Sequence, residues 1–244
     1  YERDHSVEKS IAAEDPRALD VFHAVQEVKR KCLEDDVLHP SAIYQFFKAI
    51  KSEDKVLILD ETEQNKVAEF HFLRQAKDPY MCLSDYVRTQ KEGMDSLALF
   101  VTSAGHKVRD AFLEYKNKGE FLKSHIVQAL ALESAEGYAE YLHSFLRSAW
   151  GFADSPQMTM MEKFQAKYQG KRFSFGYPAC PRLEDQEILF KLLKPSDIGV
   201  TLTEGFMMDP EASVSAIVFH HPDAKYFGIN NTSQDSDSIG DERP

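Results

Sequence analysis

The feature that most constrains the fold of this chain is a change in hydrophobic periodicity near residue 106. Four apolar segments of strand length lie before it, at residues 43–49, 55–60, 69–74 and 96–103. Residues 106–151 then follow a helical spacing, and three further strand segments come later, at residues 200–208, 213–221 and 225–229. Strands, then helices, then strands predict an α+β fold with an antiparallel sheet, because a parallel sheet needs regular βαβ alternation.

Some of these strand segments carry finer information. The segment "EFHFLR" alternates Phe70 and Phe72 with polar residues, which predicts a half-buried strand. The segment "SLALFVTS" has no such alternation, and we expect it to be buried on both faces. The turn "HPDA" separates residues 213–221 from "KYFGI", which predicts a hairpin between the last two strands.

Three shorter helices are predicted at residues 17–35, 158–168 and 184–193. In the first, apolar residues recur at helical spacing from Val21 to Cys32. The preceding Asp15 and Pro16 are typical of a helix N-terminus, because Asp caps free backbone N–H groups and Pro is tolerated in the first turn.

The long helical segment predicts two opposite stripes of side chains. The apolar stripe consists of Val127, Leu130, Ser134, Tyr138, Tyr141 and Phe145. The polar stripe consists of Glu133, Glu136, Glu140, His143 and Arg147. Glu136, Glu140 and His143 have the chemistry of acid–base groups or metal ligands. A charged stripe is more typical of a solvated helix face, so we expect solvent there, with Glu136 as the exception.

Charge and composition exclude several classes of function. The 244-residue chain has a formal net charge of -11, and nucleic-acid binding relies on clustered Lys and Arg, so no nucleic-acid partner is expected. No apolar run reaches the roughly 18 residues of a membrane span, and the first residues lack a signal pattern, so no membrane is expected. Three cysteines without CxxC spacing favour a reducing, cytoplasmic location.

The segment "RFSFGYPACPRLEDQ" (172–186) has the most unusual composition. Gly176 permits a close backbone approach, while Pro178 and Pro181 restrict the chain to turn and extended conformations. Such a rigid segment suits a planar ligand read through main-chain hydrogen bonds. Arg172 could then clamp a carboxylate, and Tyr177 could stack on the ligand or donate its hydroxyl. From the residues alone, a rigid connector with an arginine salt bridge explains the same composition.

Cys180 and the pair His220 and His221 offer weaker chemistry. A cysteine nucleophile needs a base and an activating environment, and no signature of such an enzyme surrounds Cys180, so a structural thiol is favoured. Neighbouring strand residues point to opposite faces, so the two histidines cannot both bind one metal from a regular strand. The chain has no P-loop, GxGxxG, GxSxG or HExxH motif, and we assign neither a metal site nor a catalytic residue.

Together, several segments resemble the activation domain of cobalamin-dependent methionine synthases. The resemblance rests on "YQGKRFSFGYPACPRLEDQ" (168–186) and "ALALESAEGYAEYLHSFLRSAWGF" (129–152), supported by "LTEGFMMDPEASVSAIVFHHPDAKYF" (202–227). It covers residues 17–229 and leaves a polar segment at 1–16 and an acidic tail at 230–244 that we expect to be disordered. The family implies an α+β fold with a curved antiparallel sheet and helices packed around it.

The resemblance also implies a function, which is binding of S-adenosylmethionine (AdoMet) for the reductive remethylation of cob(II)alamin. The cobalamin would be held by a neighbouring cobalamin-binding domain, and flavodoxin or an equivalent reductase would supply the electron. By position in the family motifs, the AdoMet-binding residues would be Arg172, Ser174, Tyr177, Tyr226, Phe227 and Glu136. Arg172 would hold the ligand carboxylate, and the backbone at Ser174 would read the adenine or the amino end.

Departures from the family pattern keep a second function open. Leu132 replaces an acid one helical turn before Glu136, and Arg182 and Leu183 replace an acidic residue and a histidine just after the motif. The family also has an upstream acidic residue in a Trp- and Phe-rich segment, and no such segment lies between Tyr1 and Asp20. The alternative is therefore a non-catalytic module that caps the cobalamin-binding domain without binding AdoMet productively. An unrelated enzyme that uses Cys180 is a third possibility.

Overall fold

The computed structural model describes residues 15–229, and its centre is a six-stranded sheet. The strands are β1 (Ser41–Ser52), β2 (Lys55–Leu59), β3 (Lys66–His71), β4 (Asp95–Ser103), β5 (Lys171–Phe173) and β8 (Ser213–Phe219), and they lie side by side in the order β3-β2-β1-β4-β8-β5. All neighbouring pairs are antiparallel, so the predicted α+β class is confirmed. The predicted tail, and most of the predicted N-terminal polar segment, lie outside the described residues.

Five α-helices accompany the sheet within residues 15–229. They are α1 (Pro16–Glu34), α2 (Val108–Asn117), α3 (Phe121–Trp150), α4 (Met160–Phe164) and α5 (Gln186–Leu193). The first begins as predicted, because the Asp15 side chain accepts hydrogen bonds from the backbone nitrogens of Arg17 and Ala18 at 2.9 and 3.3 Å. No helix in this range is long and apolar enough to cross a lipid bilayer.

Two apolar cores lie on the two faces of the sheet, and β4 contributes to both. Leu97, Leu99 and Val101 belong to one core, while Ala98 and Phe100 belong to the other, which alternation along a strand requires. The predicted burial of this strand on both faces is therefore confirmed. Helices α1, α2 and α3 cover the face of Ala98 and Phe100. Helix α5 and the irregular segments before it cover the other face.

The structure corrects two predicted strands near the C-terminus. Residues 200–208 do not form one strand, because the chain turns at residues 203–206 and leaves the short hairpin β6 (Thr201–Leu202) and β7 (Met208–Asp209). Residues 225–229 are not a strand either, and the predicted hairpin with β8 is wrong. Both edges of β8 are already occupied, by β4 and β5, so the returning chain has no edge to pair with.

The structure also corrects the predicted faces of α3. His143 and Arg147, expected in solvent, are fully buried, at 0% and 1% exposure. Tyr141 and Phe145, expected in the core, are 68% and 45% exposed. The second half of the predicted polar stripe therefore faces protein, and the opposite face is open to solvent.

Candidate ligand-binding cleft

The cleft lies where α3 passes the edge strand β5. In the register of the sheet Arg172 is opposite Val218, whose side chain belongs to the helix-covered core. Arg172 consequently points toward α3, while Phe173, one residue later, packs into the other core. A three-residue edge strand thus directs one guanidinium into the space between sheet and helix.

The cavity between these elements has a volume of about 400 Å³, which lies within the usual range for small-molecule sites. The six residues predicted from the sequence all line it: Arg172, Ser174, Tyr177, Tyr226, Phe227 and Glu136. Residues that the sequence did not assign to a site also contribute, namely Glu133, Gly137, Glu140, Tyr168 and residues 163–166. The structure brings the predicted residues together, and their role in ligand binding stays a prediction.

Arg172 is buried at the base of the cleft beside two carboxylates of α3. Its Nη2 lies 3.1 Å from Oε2 of Glu136, and its Nε lies 3.6 Å from Oε2 of Glu140. Burial disfavours the charge of Arg172, but the nearby carboxylates, chiefly Glu136, raise the pKa of its guanidinium above the usual value. The group is therefore a permanent cation that is itself buried, beside two carboxylates that are partly exposed.

Two polar atoms of the cleft have no hydrogen-bond partner within residues 15–229. They are Nη1 of Arg172 and Oγ of Ser174, and both are buried. Buried polar groups are nearly always paired in folded proteins, so each unpaired atom calls for an explanation. Here the two atoms belong to residues that line the same cavity, where a bound anion or other acceptor could satisfy them.

The segment after β5 forms the tight loop that the sequence predicted. The backbone N–H of Gly176 donates to the carbonyl of Cys180, and that of Cys180 donates to the carbonyl of Tyr177, both at 2.8 Å. Gly176 has a φ of +88°, and a Cβ there would lie 2.8 Å from the side chain of Leu183. The loop presents Tyr177 to the cleft and buries Cys180 on its far side. Burial raises the pKa of the Cys180 thiol, so the structure does not support a cysteine nucleophile.

The aromatic side of the cleft, formed by Tyr226 and Phe227, is held in place although the predicted hairpin is absent. The hydroxyl of Tyr86 donates to the carbonyl of Lys225 at 3.0 Å and accepts from the backbone N–H of the same residue at 3.2 Å. The side chain of Gln75 donates to the carbonyl of Gly228 at 2.7 Å. These bonds take the place of a sheet ladder, and they hold Tyr226 with its ring centre 5.4 Å from that of Phe173.

A buried cluster beneath the cleft includes residues that sequence reasoning left out of the site. Tyr168 is buried against the guanidinium of Arg147, which lies 3.6 Å from the centre of its ring. Glu140 was assigned to a solvated stripe, although its spacing of four residues from Glu136 places both on one helix face. Burial keeps the pKa of His143 well below its usual range, so its imidazole is neutral.

Within residues 15–229, no three His, Cys, Asp or Glu side chains lie close enough together to hold a metal ion.

Comparisons with known proteins agree with this architecture. Residues 5–239 match the family model described as the vitamin B12 dependent methionine synthase activation domain. The chain is also similar to a solved structure of the MetH reactivation domain bound to AdoHcy, with a TM-score of 0.82 and 31% sequence identity. That match covers 91% of this chain and 72% of the other.

Two curated relatives are full methionine synthases. The enzyme of Mycobacterium tuberculosis is 31% identical over 204 residues, and that of Mycobacterium leprae is 30% identical over 205 residues. Each match covers 78% of this chain but only 17% of the relative. The chain thus spans about one sixth of the length of these enzymes.

Proposed function

Because this chain belongs to the family of vitamin B12-dependent methionine synthase activation domains, we propose that its cleft binds S-adenosylmethionine for the reactivation of a cobalamin held by a neighbouring domain. The names of the similar proteins support this proposal, since one is a reactivation domain bound to AdoHcy and the others are methionine synthases. In this proposal, residues 17–229 form the activation domain of a larger methyltransferase, and the isolated chain is inactive.

The observation that carries the proposal is the pair of unpaired donors at the base of the cleft. AdoMet has a carboxylate at one end, and a carboxylate is the natural acceptor for the free Nη1 of Arg172. Ser174 is two residues further along, and its free hydroxyl can pair with a polar atom of the ligand. Both atoms are buried from solvent in this structure, so a ligand that pairs with them has to shift part of the surrounding lining.

The rest of the cleft is complementary to the remaining groups of AdoMet. Three carboxylates, on Glu133, Glu136 and Glu140, line one side and suit a ligand that carries an ammonium and a sulfonium. The rings of Tyr177 and Tyr226 line the cleft as well, and aromatic faces attract both a sulfonium and a planar base.

The contribution of this chain to the reaction is positioning. Arg172 and the aromatic residues fix the two ends of the ligand, so that its methyl group meets the partner domain in one orientation. The cobalamin of that domain supplies the methyl-accepting metal chemistry when it is bound. The proposal includes flavodoxin or an equivalent reductase as electron donor and a cytoplasmic location, both carried over from the family resemblance.

The alternative function, a module that only caps the cobalamin-binding domain, predicts a cleft in which no buried donor is left unpaired. A module that had lost its ligand would be expected to fill the cavity or to pair every buried donor, because unpaired buried groups cost about 1–3 kcal/mol each. The free nitrogen of Arg172 therefore favours the ligand-binding function over the cap.

Calorimetric titration of the 244-residue chain with AdoMet and with AdoHcy tests the proposal. We expect both ligands to bind, and we expect Arg172→Ala to weaken AdoMet by at least about 100-fold, because the ligand carboxylate loses its charged partner. Arg172→Lys keeps the positive charge but not the planar guanidinium with its two parallel donors. We expect its affinity for AdoMet to fall by about tenfold. Arg109→Ala removes an exposed arginine outside the cleft and serves as the control.

Two results would count against the proposal. Absence of binding by the folded parent chain would favour the capping module. Equal AdoMet affinities for Arg172→Ala and Arg109→Ala would remove Arg172 from the site.

A further inference from the structure

A second cavity lies where the end of α3 meets the start of β4 and the residue after β8. It has a volume of about 290 Å³, and none of the residues that line it also lines the cleft around Arg172. Three rings, those of Trp150, Phe152 and His220, line it together with the side chains of Lys48 and Arg88. Its volume is near the lower end of the range for small-molecule sites, so it suits a ligand with one or two rings.

The aromatic surface of this cavity is held in place by a hydrogen bond and by ring packing. Nε1 of Trp150 donates to Oγ of Ser96 at 3.0 Å. The ring centre of Trp150 lies 5.9 Å from that of Phe152 and 5.3 Å from that of His220, and the ring of Phe46 stands edge-on at 4.7 Å. An indole that is fixed in this way offers a preorganised surface to a flat ligand group.

His220 is oriented by a buried carboxylate. Its Nε2 lies 2.6 Å from Oδ1 of Asp95, and Asp95 also accepts from the backbone N–H groups of Arg88 and Ser96, at 2.9 and 2.8 Å. Burial opposes the charge of Asp95, but these hydrogen bonds bring its pKa below the usual value, so the carboxylate is ionised and Nε2 carries a proton. Nδ1 has no hydrogen-bond partner among residues 15–229, and it can accept from a ligand or, on an imidazolium, donate to it.

Arg88 brings a positive charge to the cavity that no other side chain engages. The residue is exposed, and its guanidinium has no hydrogen bond or ion pair in the described part of the chain. Its charge influences Glu92, but that carboxylate accepts instead from the backbone N–H and the hydroxyl of Thr89, at 2.8 and 2.7 Å. The guanidinium is therefore available to an anion, which it can bind through two parallel donors.

The charge around this cavity is opposite to that of the whole chain, which has a formal net charge of -11. Lys48 and Arg88 line the cavity, and Asp95, the one carboxylate among the described lining residues, is bound to His220. Lys48 pairs with Glu63 at 2.9 Å, but the two side chains are 49% and 41% exposed, and an exposed ion pair is weak enough to exchange for a ligand. Two cations beside a fixed aromatic surface are complementary to a small planar anion.

We propose that this cavity is a second binding site, which takes a small planar anion such as an aryl phosphate or an aromatic carboxylate. The ring of the ligand packs on Trp150, and its anionic group binds Arg88 and Lys48. The site is separate from the proposed AdoMet cleft, and it does not depend on that function.

The single tryptophan of the chain allows a local measurement of binding, because Trp150 lines this cavity and not the cleft. Its indole N–H gives one signal in a proton–nitrogen NMR spectrum, which is followed while the 244-residue chain is titrated with phenyl phosphate, benzoate, phenol or inorganic phosphate. We expect phenyl phosphate and benzoate to shift this signal until it saturates, and the tighter of the two identifies the preferred anionic group. Phenol and inorganic phosphate should bind at least about tenfold more weakly than phenyl phosphate, because each lacks one half of the ligand.

One variant and one competing ligand complete the test. Arg88→Ala should weaken phenyl phosphate by at least about tenfold and leave the weak binding of phenol within about twofold. The backbone N–H of residue 88 still reaches Asp95, so the pair of Asp95 with His220 is retained. Arg109→Ala removes an exposed arginine outside the cavity and serves as the control. Saturation with AdoHcy should leave the affinity for phenyl phosphate within about twofold, since the two cavities share no residue.

Four results would each overturn the second site. They are the absence of a saturable shift with both aromatic anions, equal binding of phenol and phenyl phosphate, equal phenyl phosphate affinities for Arg88→Ala and Arg109→Ala, and displacement of phenyl phosphate by AdoHcy. None of them bears on AdoMet binding in the first cleft, which the calorimetric titration tests by itself.

Discussion

Two arginines of this protein, Arg74 and Arg172, differ in opposite directions in the burial and in the hydrogen-bond pairing of their guanidinium groups. Arg74 lies in a loop after β3, and all three of its guanidinium nitrogens are paired: they donate to Asp54, to Asp85 and to the backbone carbonyl of Tyr80, at 2.6–2.9 Å. Its side chain is nevertheless 32% exposed. The side chain of Arg172 is only 6% exposed, yet its two contacts are longer, at 3.1 and 3.6 Å, and one nitrogen has no partner within residues 15–229.

Under the proposed function, the difference distinguishes an arginine that stabilises the fold from one that binds a ligand. Folding favours pairing of every donor, and an exposed arginine could use water instead, so the complete pairing of Arg74 points to a structural role. Arg172 combines burial with incomplete pairing, as Arg147 beneath the cleft also does, and under the proposed function the ligand supplies the missing partner of Arg172. The comparison therefore indicates a structural role for the Arg74 network and agrees with the binding role that we propose for Arg172.

The largest expected effect is on the structural side of this comparison. Arg74→Ala removes four hydrogen bonds to the carboxylates of Asp54 and Asp85 and one to a backbone carbonyl, so the free energy of unfolding should fall by about 3 kcal/mol even after a discount for the partial exposure of these side chains. Arg172→Ala should lose only about 1 kcal/mol, because it removes one hydrogen bond and one longer ion pair and leaves two carboxylates that are partly exposed to water.

Urea unfolding measures both values, and AdoMet titration of the same variants completes the comparison. Arg74→Ala should bind AdoMet within about twofold of the parent chain. A stability loss for Arg172→Ala as large as that for Arg74→Ala would show that the cleft arginine is structural too.

A second prediction concerns Lys171, a buried lysine beneath the cleft. Burial and the charge of Arg147 lower the pKa of Lys171 to about 8. Between pH 8 and the usual lysine pKa near 10.5, the unfolded chain binds a proton that the folded chain does not, so stability rises with pH across this window. Relative to Lys171→Met, the parent chain should therefore gain about 2 kcal/mol between pH 7 and pH 10.5.

Urea unfolding at several pH values tests this prediction. Lys191→Met removes an exposed lysine of α5 and should show no such trend relative to the parent chain. A pH-independent difference between Lys171→Met and the parent would mean that Lys171 is as well solvated as a surface lysine.

The smallest expected effect is the loss of folding stability at low pH, when Asp85, a partner of Arg74, becomes protonated. Burial of Asp85 opposes its charge, but hydrogen bonds from Arg74 and Lys51 lower its pKa to about 2. The resulting stabilisation is present above the ordinary aspartate pKa near 4 and is lost as the pH falls toward 2. Because the side chain is partly exposed, Asp85→Asn should cost only about 1 kcal/mol at pH 6.

Acid titration of stability, followed by circular dichroism, checks this last prediction. The parent chain and Asp85→Asn should converge as the pH approaches 2, while Asp197→Asn, an exposed aspartate between α5 and β6, should match the parent throughout. A cost for Asp85→Asn that is unchanged at pH 2 would show that shape, and not charge, determines it.

Much of the fold was predictable from local patterns. The central strand β4, the N-terminal cap of α1 and the tight loop around Gly176 each follow from a few neighbouring residues, and each was confirmed. The six candidate site residues came from the family resemblance, and the fold places all of them around one cavity. Glu140 and Tyr168, which also line the cavity, were not assigned, because their position there depends on contacts between segments far apart in the chain.

The sequence by itself determined the order of strands and helices as far as α3, since hydrophobic periodicity and turn residues act over a few positions. Only the tertiary structure decided which face of α3 is buried: Arg147 and His143 lie inside because Asp154 pairs with the first and Tyr168 packs on both. It also decided that residues 225–229 remain outside the sheet, because β8 already has a neighbour on each edge. Burial of a charge and pairing of a strand are properties of the partners available, and those partners lie elsewhere in the chain.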